Sequence, residues 1–163
     1  MTLAIQPPFY EFEDLTDGEV ALRHKRFLQG RAAMDAVPAY LFSIYQVDTG
    51  RIVGEIDLRL GETRYLRQYG GQLGYHIDSR FRGQRYAARA CLLLQEVALA
   101  HEMNGLWITC NPDNVASRRT CELIGAVYVE EVRVPFASEL YWRGDRHKCR
   151  YHWDLTCHHL MRN

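Results

Sequence analysis

The chain lacks an excess of charge of either sign, any long apolar run and any cysteine framework. Its 20 basic and 20 acidic residues cancel to a formal net charge of zero, so no global field draws it onto nucleic acid or an anionic bilayer. Polyanion binding as the main task is disfavoured. No stretch approaches the roughly 20 consecutive apolar residues of a membrane span, and the opening Met1-Thr2-Leu3-Ala4-Ile5-Gln6-Pro7-Pro8 has no basic segment ahead of an apolar core. These features predict a cytoplasmic protein with no nucleic-acid or membrane partner. Five cysteines, Cys91, Cys110, Cys121, Cys149 and Cys157, are odd in number and include no Cys-x-x-Cys pair, which argues against a disulfide scaffold or zinc ribbon and for reduced thiols. Neither Gly-x-x-x-x-Gly-Lys-Ser/Thr, His-Glu-x-x-His nor Gly-x-Ser-x-Gly occurs, so nucleotide hydrolysis and the common hydrolase chemistries are disfavoured. Lysine is scarce, only Lys25 and Lys148, against 18 arginines. The arginine fork suits phosphate oxygens, although genome composition produces the same bias.

The 163 residues are enough for one domain, predicted over residues 1–163, that buries roughly 70% of its unfolded surface. A 47% hydrophobic and 25% charged composition with mean hydropathy −0.32 is that of a folded soluble chain. After an acidic opening (Glu11, Glu13, Asp14, Asp17, Glu19), residues 19–31 carry Val20, Leu22, Phe27 and Leu28, with Gly30 as a candidate helix stop. Residues 39–47 and 51–60, separated by Asp48-Thr49-Gly50, read as a β-hairpin. In its second strand Ile52, Gly54, Ile56, Leu58 and Leu60 share one face, while Val53, Glu55, Asp57 and Arg59 share the other. A loop over 61–71 leads to a short strand at 72–77. A helix is expected over 86–103, with Ala90, Leu93, Leu94, Val97, Ala98 and Ala100 apolar and Gly105 as C-cap. A buried strand at 106–110, a turn and cap at Asn111-Pro112-Asp113-Asn114, a helix at 116–124 stopped by Gly125, and strands at 128–134 and 147–155 complete the pattern. The fold class is α/β, with a mixed, mostly antiparallel sheet flanked by helices.

Between strand and long helix lies Arg80-Phe81-Arg82-Gly83-Gln84-Arg85-Tyr86-Ala87-Ala88-Arg89, four arginines in ten residues. Orphan N–H groups at a helix N-terminus carry the positive end of the helix dipole, and a preceding glycine lets a ligand approach the main chain. A diphosphate suits such a loop. A solvated basic turn is the alternative.

Arg82-Gly83-Gln84-Arg85-Tyr86-Ala87 resembles the acetyl-CoA diphosphate loop of the GNAT superfamily of N-acetyltransferases, Arg/Gln-x-x-Gly-x-Gly/Ala. Asn114-Val115-Ala116-Ser117, followed by Gly125-Ala126, resembles the family's second motif. The similarity covers roughly residues 38–134. It implies a GNAT-like fold whose strands at 73–77 and 106–110 splay to admit the pantetheine arm, and acetyl-CoA as cosubstrate. The resemblance assigns cofactor binding to the main chain of Tyr75 and Ile77, to Arg82, Gly83, Gln84, Arg85, Tyr86 and Ala87, and to Asn114 and Ser117; Asn114 also reads as a simple N-cap. Two positions depart from the family pattern. Arg85 replaces the second loop glycine, which is acceptable at a first helical position, where φ is negative and any residue supplies the N–H; its guanidinium could add a phosphate contact. Cys121 replaces the tyrosine that protonates the leaving thiolate in many members, and is either that acid or a small buried hydrophobe. Glu55, with Asp57 on the same strand face, is the candidate base.

The implied reaction is direct acetyl transfer to a primary amine of a small molecule or a protein N-terminus. The rival from another class is a non-catalytic module that binds or senses CoA. His147, Cys149, His152, Cys157, His158 and His159 crowd the C-terminus, but strand alternation turns His147 and Cys149 away from His152, and no metal is expected. The long segment 135–145 is expected to close the acceptor side. A homodimer is compatible with the sequence.

Overall fold

The computed structural model describes residues 7–13, 15–30 and 37–157. These divide into two compact units, Met1–Gly61 with Gly74–Glu102, and Glu62–Leu73 with Met103–Asn163.

The first unit is built on a four-stranded sheet in the order β1-β2-β3-β4, with β1 Val20–Leu28, β2 Ala39–Gln46, β3 Ile52–Arg59 and β4 Leu73–Ile77. The predicted hairpin forms, but a register shift between Ile44 and Tyr45 reverses the faces read at the start of its second strand: Val53 is fully buried and Ile52 is 50% exposed. Gly50 takes φ +67° at the turn, and Phe42 stands opposite Ile56, and Tyr40 opposite Leu58. Those four side chains are fully buried, as are Leu94, Val97 and Ala98 of helix α1, Tyr86–Ala100, which packs on β1 and β3. The Phe, Ile, Leu and Val side chains among them each contribute about 1.5–3 kcal/mol of hydrophobic stabilisation. Residues 20–28 form a strand, so Gly30 stops no helix; only Val20 and Leu22 keep the alternation, because a bulge between His24 and Arg26 breaks the register with β2. Helix α1 ends at Ala100 rather than 103, and the chain reverses through Glu102 at φ +59°.

The second unit holds an antiparallel sheet in the order β5-β7-β6, with β5 Gly105–Cys110, β6 Val127–Arg133 and β7 His147–Asp154. Helix α2, Val115–Ile124, packs on β5 and β7, and Leu106, Ile108, Ile124, Trp153 and Leu155 are fully buried. Gly125 takes φ +84° as the C-cap. Gly105 is not a cap for α1 but the first residue of β5, where a Cβ would lie 2.7 Å from His152 Nε2. Within the predicted loop 61–71 the chain forms a π-helical turn, Leu66–Gly70. Side chains of the sheet hold it: Thr109 Oγ1 donates to the Tyr69 carbonyl at 2.7 Å and Arg150 Nε to the Arg67 carbonyl at 2.8 Å. The segment 135–145 contains a single helical turn, α3 Glu139–Trp142, capped by the Ser138 hydroxyl. Among the described residues no helix is long and apolar enough to cross a membrane.

Candidate active site

In the first unit the chain leaves β4 through a 3₁₀ turn, Ser79–Phe81, and reaches α1 through four exposed residues, Arg82 to Arg85. Gly83 takes φ +80°, a left-handed conformation that glycine adopts without steric cost. Arg85 also takes φ +60°, ψ +19°, so the negative φ anticipated for it is wrong. The arginine occupies a backbone state that suits glycine, directly before the first helical residue. Its carbonyl accepts the first intrahelical bond, from Arg89 N–H at 3.0 Å. Tyr86 fixes the loop from below: its hydroxyl donates to Gln84 Oε1 at 3.1 Å and accepts from Gln46 Nε2 at 3.0 Å. Arg82 Nε donates to the Ile77 carbonyl at 3.0 Å, which ties the loop back to β4 and uses one main-chain acceptor that the sequence reading reserved for the cofactor. Arg89 is neutralised by Asp17 at 2.8 Å and Glu19 at 3.3 Å. Burial opposes ionisation of Asp17, but N–H donors from Val20 and Glu19 and the Arg89 charge hold its carboxyl below the ordinary range.

The two candidate base residues differ in surroundings. Glu55 is paired with Lys25 of β1, and both side chains are more than 40% exposed. Asp57 is 24% exposed and lies 3.1 Å from Arg59 Nε. Burial raises its carboxyl above the ordinary value; Arg59 opposes that shift and Glu55 adds to it. The next strand makes room for this pair only because position 74 is glycine, where a Cβ would stand 2.6 Å from Asp57 Oδ1.

In the second unit Asn114 caps α2, its Oδ1 accepting from Ser117 N–H at 3.1 Å. The N-cap reading is therefore realised. Ser117 is buried and its side chain bonds the Cys110 thiol, which burial pushes above its ordinary value. Cys121 is 0% exposed and packs among Ser117, Thr120 and Ile124 on the buried face of the helix.

The Acetyltransferase (GNAT) domain family model matches residues 7–127, well over half of the chain. The chain belongs to the GNAT acetyltransferase family. Solved structures share its fold: ribosomal-protein-S5-alanine acetyltransferase from Vibrio fischeri is 19% identical with TM-score 0.56, over 71% of this chain and 61% of that one. RimJ from Mycobacterium smegmatis, solved with CoA-disulfide, is 18% identical with TM-score 0.55, over 76% and 55%. The microcin C7 self-immunity acetyltransferase MccE, solved with acetyl-CoA and AMP, is 18% identical with TM-score 0.54, over 71% and 61%. This GNAT chain thus spans about three fifths of the length of such structures. No curated protein matches it.

Two further groups of the GNAT chain lie in its second unit. Lys148 Nζ donates to Asn111 Oδ1 at 2.7 Å and Asp145 Oδ2 at 3.0 Å, while Asn111 Nδ2 donates to Asp145 Oδ1 at 2.7 Å. This triangle joins the end of β5 to the turn 135–145. Sequence reasoning missed it, since the partners are up to 37 residues apart. The turn itself displays Phe136 and Trp142, 65% and 66% exposed with ring centroids 4.7 Å apart. The C-terminal histidines do not converge: His147 Nδ1 meets Glu131 at 2.9 Å, His152 packs on Trp107, and Cys157 bonds Asp154. His158 and His159 lie outside the described residues. Among the described residues no group of three or more His, Cys, Asp or Glu could hold a metal ion.

Proposed function

We propose that this GNAT domain is a cytoplasmic N-acetyltransferase that moves the acetyl group of acetyl-CoA directly onto a primary amine of a small molecule or a protein N-terminus. The observation that carries this reading is the loop before α1. Two consecutive odd positions, Gly83 and Arg85, hold positive φ, and the four loop residues are exposed at the start of a 15-residue helix. Such a loop offers main-chain donors and a helix dipole to a diphosphate. Arg82, Gly83, Gln84, Arg85, Tyr86 and Ala87 would bind that group, and the main chain of Tyr75 and Ile77, with Asn114 and Ser117, would bind the remainder of the cosubstrate. The MccE and RimJ structures, solved in complex with acetyl-CoA and with CoA-disulfide, support the choice of ligand.

Acetyl transfer requires an amine that has lost a proton and a proton for the departing thiolate. Glu55 and Asp57 are the carboxylates proposed for the first task. Cys121 is the thiol proposed for the second, with its complete burial as the observation against it. That burial favours a second reading, a domain that binds CoA without turnover. Thermal unfolding with acetyl-CoA, CoA and ATP in turn tests the common part. Saturation at 100 Kd adds about 2.7 kcal/mol, which for this length raises Tm by about 5–10 °C. Both CoA forms should shift the transition and ATP should not; no shift with acetyl-CoA overturns the reading. Free-thiol release with amine acceptors then separates transferase from binding module.

A further inference from the structure

The first unit's sheet has one face packed under α1 and another that carries charge. Register places Arg26, Leu41 and Asp57 in one row across β1, β2 and β3, and Arg23, Ser43 and Glu55 in the next. Two carboxylates therefore lie side by side, and their neighbours make them unlike. Glu55 meets Lys25, both side chains being more than 40% exposed, and the pair is screened as surface pairs are. Asp57 lies against the main chain of β4 at Gly74, because no side chain intervenes. Arg59 lies over the same glycine, its Nη2 3.1 Å from where a Cβ would stand.

Gly74 immediately precedes Tyr75, and one strand residue spans about 3.3 Å. The Asp57 carboxylate is thus within about one to three residues' rise of the strand segment, Tyr75 to Ile77, that the proposed function gives to the cosubstrate beyond its diphosphate. The charged groups around it are Glu55 and Arg59 on β3 and Lys25 and Arg26 on β1. From β2 come Leu41 and Ser43, without charge, and β4 offers Gly74, then His76 beside Asp78 at 3.8 Å. A half-covered carboxylate held by one arginine can keep an ammonium close and take a proton from it, whereas an exposed one already bound to lysine has that place filled.

The geometry points to Asp57, ahead of Glu55, as the group that receives the acceptor's ammonium and takes its proton before the amine attacks. The inference rests on the acetyl-transfer reading. In the step, R–NH₃⁺ gives one proton to the Asp57 carboxylate. The amine nitrogen then bonds to the acetyl carbon, the C–S bond breaks, and the second N–H proton leaves with the CoA thiolate.

The test compares wild type with Asp57→Asn, Asp57→Glu and Glu55→Gln. Acetyl-CoA affinity is read by calorimetry. Transfer to spermidine and to tetrapeptides with free Ala or Ser amino termini is read by thiol release between pH 6 and 9. Asp57→Asn should lower kcat/KM at least 100-fold at neutral pH, with a residual rate that climbs about tenfold per pH unit, and with unchanged acetyl-CoA affinity. Asp57→Glu should restore part of the rate and the acidic limb, and Glu55→Gln should lower kcat/KM at least tenfold less than Asp57→Asn does. Asp57→Asn within threefold of wild type, or a rate loss matched by lost acetyl-CoA affinity, overturns the role of Asp57. A wild-type protein that binds no acetyl-CoA overturns the acetyl-transfer reading itself, which keeps the two failures apart.

Discussion

Arg85 separates what a loop residue does with its backbone from what it does with its side chain. At φ +60° and ψ +19° it sits in the left-handed region, which costs a residue with a Cβ roughly 1–2 kcal/mol. Arg85→Gly removes that cost, but glycine adds freedom to the unfolded chain worth about 0.4–1 kcal/mol. The net is a stabilisation of about 0.5–1 kcal/mol, or a Tm rise of about 1–4 °C at this length. Arg85→Ala keeps the Cβ, so it keeps the strain, and its stability should stay within about 0.5 kcal/mol of wild type. Urea unfolding of the three proteins checks the ordering. Acetyl-CoA titration checks the other half: both variants lose the guanidinium and should bind more weakly by the same factor, about fivefold to tenfold, with the difference shrinking at high salt. Equal stability of the glycine and alanine variants, or a glycine variant less stable than wild type, would refute the strain argument. Unequal losses of affinity would refute the division between backbone and side chain.

Two other predictions concern the first unit alone. A Cβ at Gly54 would lie 2.1 Å from the His76 carbonyl oxygen, a main-chain atom that cannot rotate away, so Gly54→Ala should lower the stability by about 3 kcal/mol, the upper end for overpacking, and a loss under 1 kcal/mol in denaturant unfolding counts against the approach of β3 and β4. His101 Nε2 and the Tyr40 hydroxyl share a hydrogen bond of 2.7 Å, and that hydroxyl accepts from Tyr10 N–H. Burial lowers the affinity of His101 for a proton, so between its folded value and the unfolded 6.5 the unfolded chain binds more protons. Its contribution to stability is therefore present above pH 6.5 and lost as the pH falls through the folded value. His101→Gln should flatten that part of the stability profile, and an unchanged slope between pH 7 and 5 rejects the assignment.

Much of the fold is legible because its signals are local. The hairpin 39–60 shows an alternation that Phe42, Ile56 and Leu58 carry into the core, and α2 is bracketed by Asn114 and Gly125, each fulfilling the capping role of its residue type. What escapes the sequence depends on distant partners. Residues 66–70 have no periodicity of their own; their π-turn is held by Thr109 and by Arg150, which is 83 residues from its acceptor. Gly105 looks like a cap because it follows a helix, yet its small size answers to His152 on β7. The β1 strand loses its alternation at the His24/Arg26 bulge, so half of its length carries no usable pattern.

The candidate site divides along the same line. The loop 82–87 and the Asn114 cap are short-range motifs, and a residue pattern marks them. Even there the pattern misleads once, since a positive φ is signalled by glycine and Arg85 carries one without it. The choice between Glu55 and Asp57 is invisible to any local reading. Both lie on one strand two residues apart, and what distinguishes them is contributed by other strands: a lysine on β1 that reaches Glu55, and on β4 the absence of a side chain at Gly74. A carboxylate's proton affinity follows the groups around it, so glycine on a neighbouring strand can be as informative about a base as the acid itself.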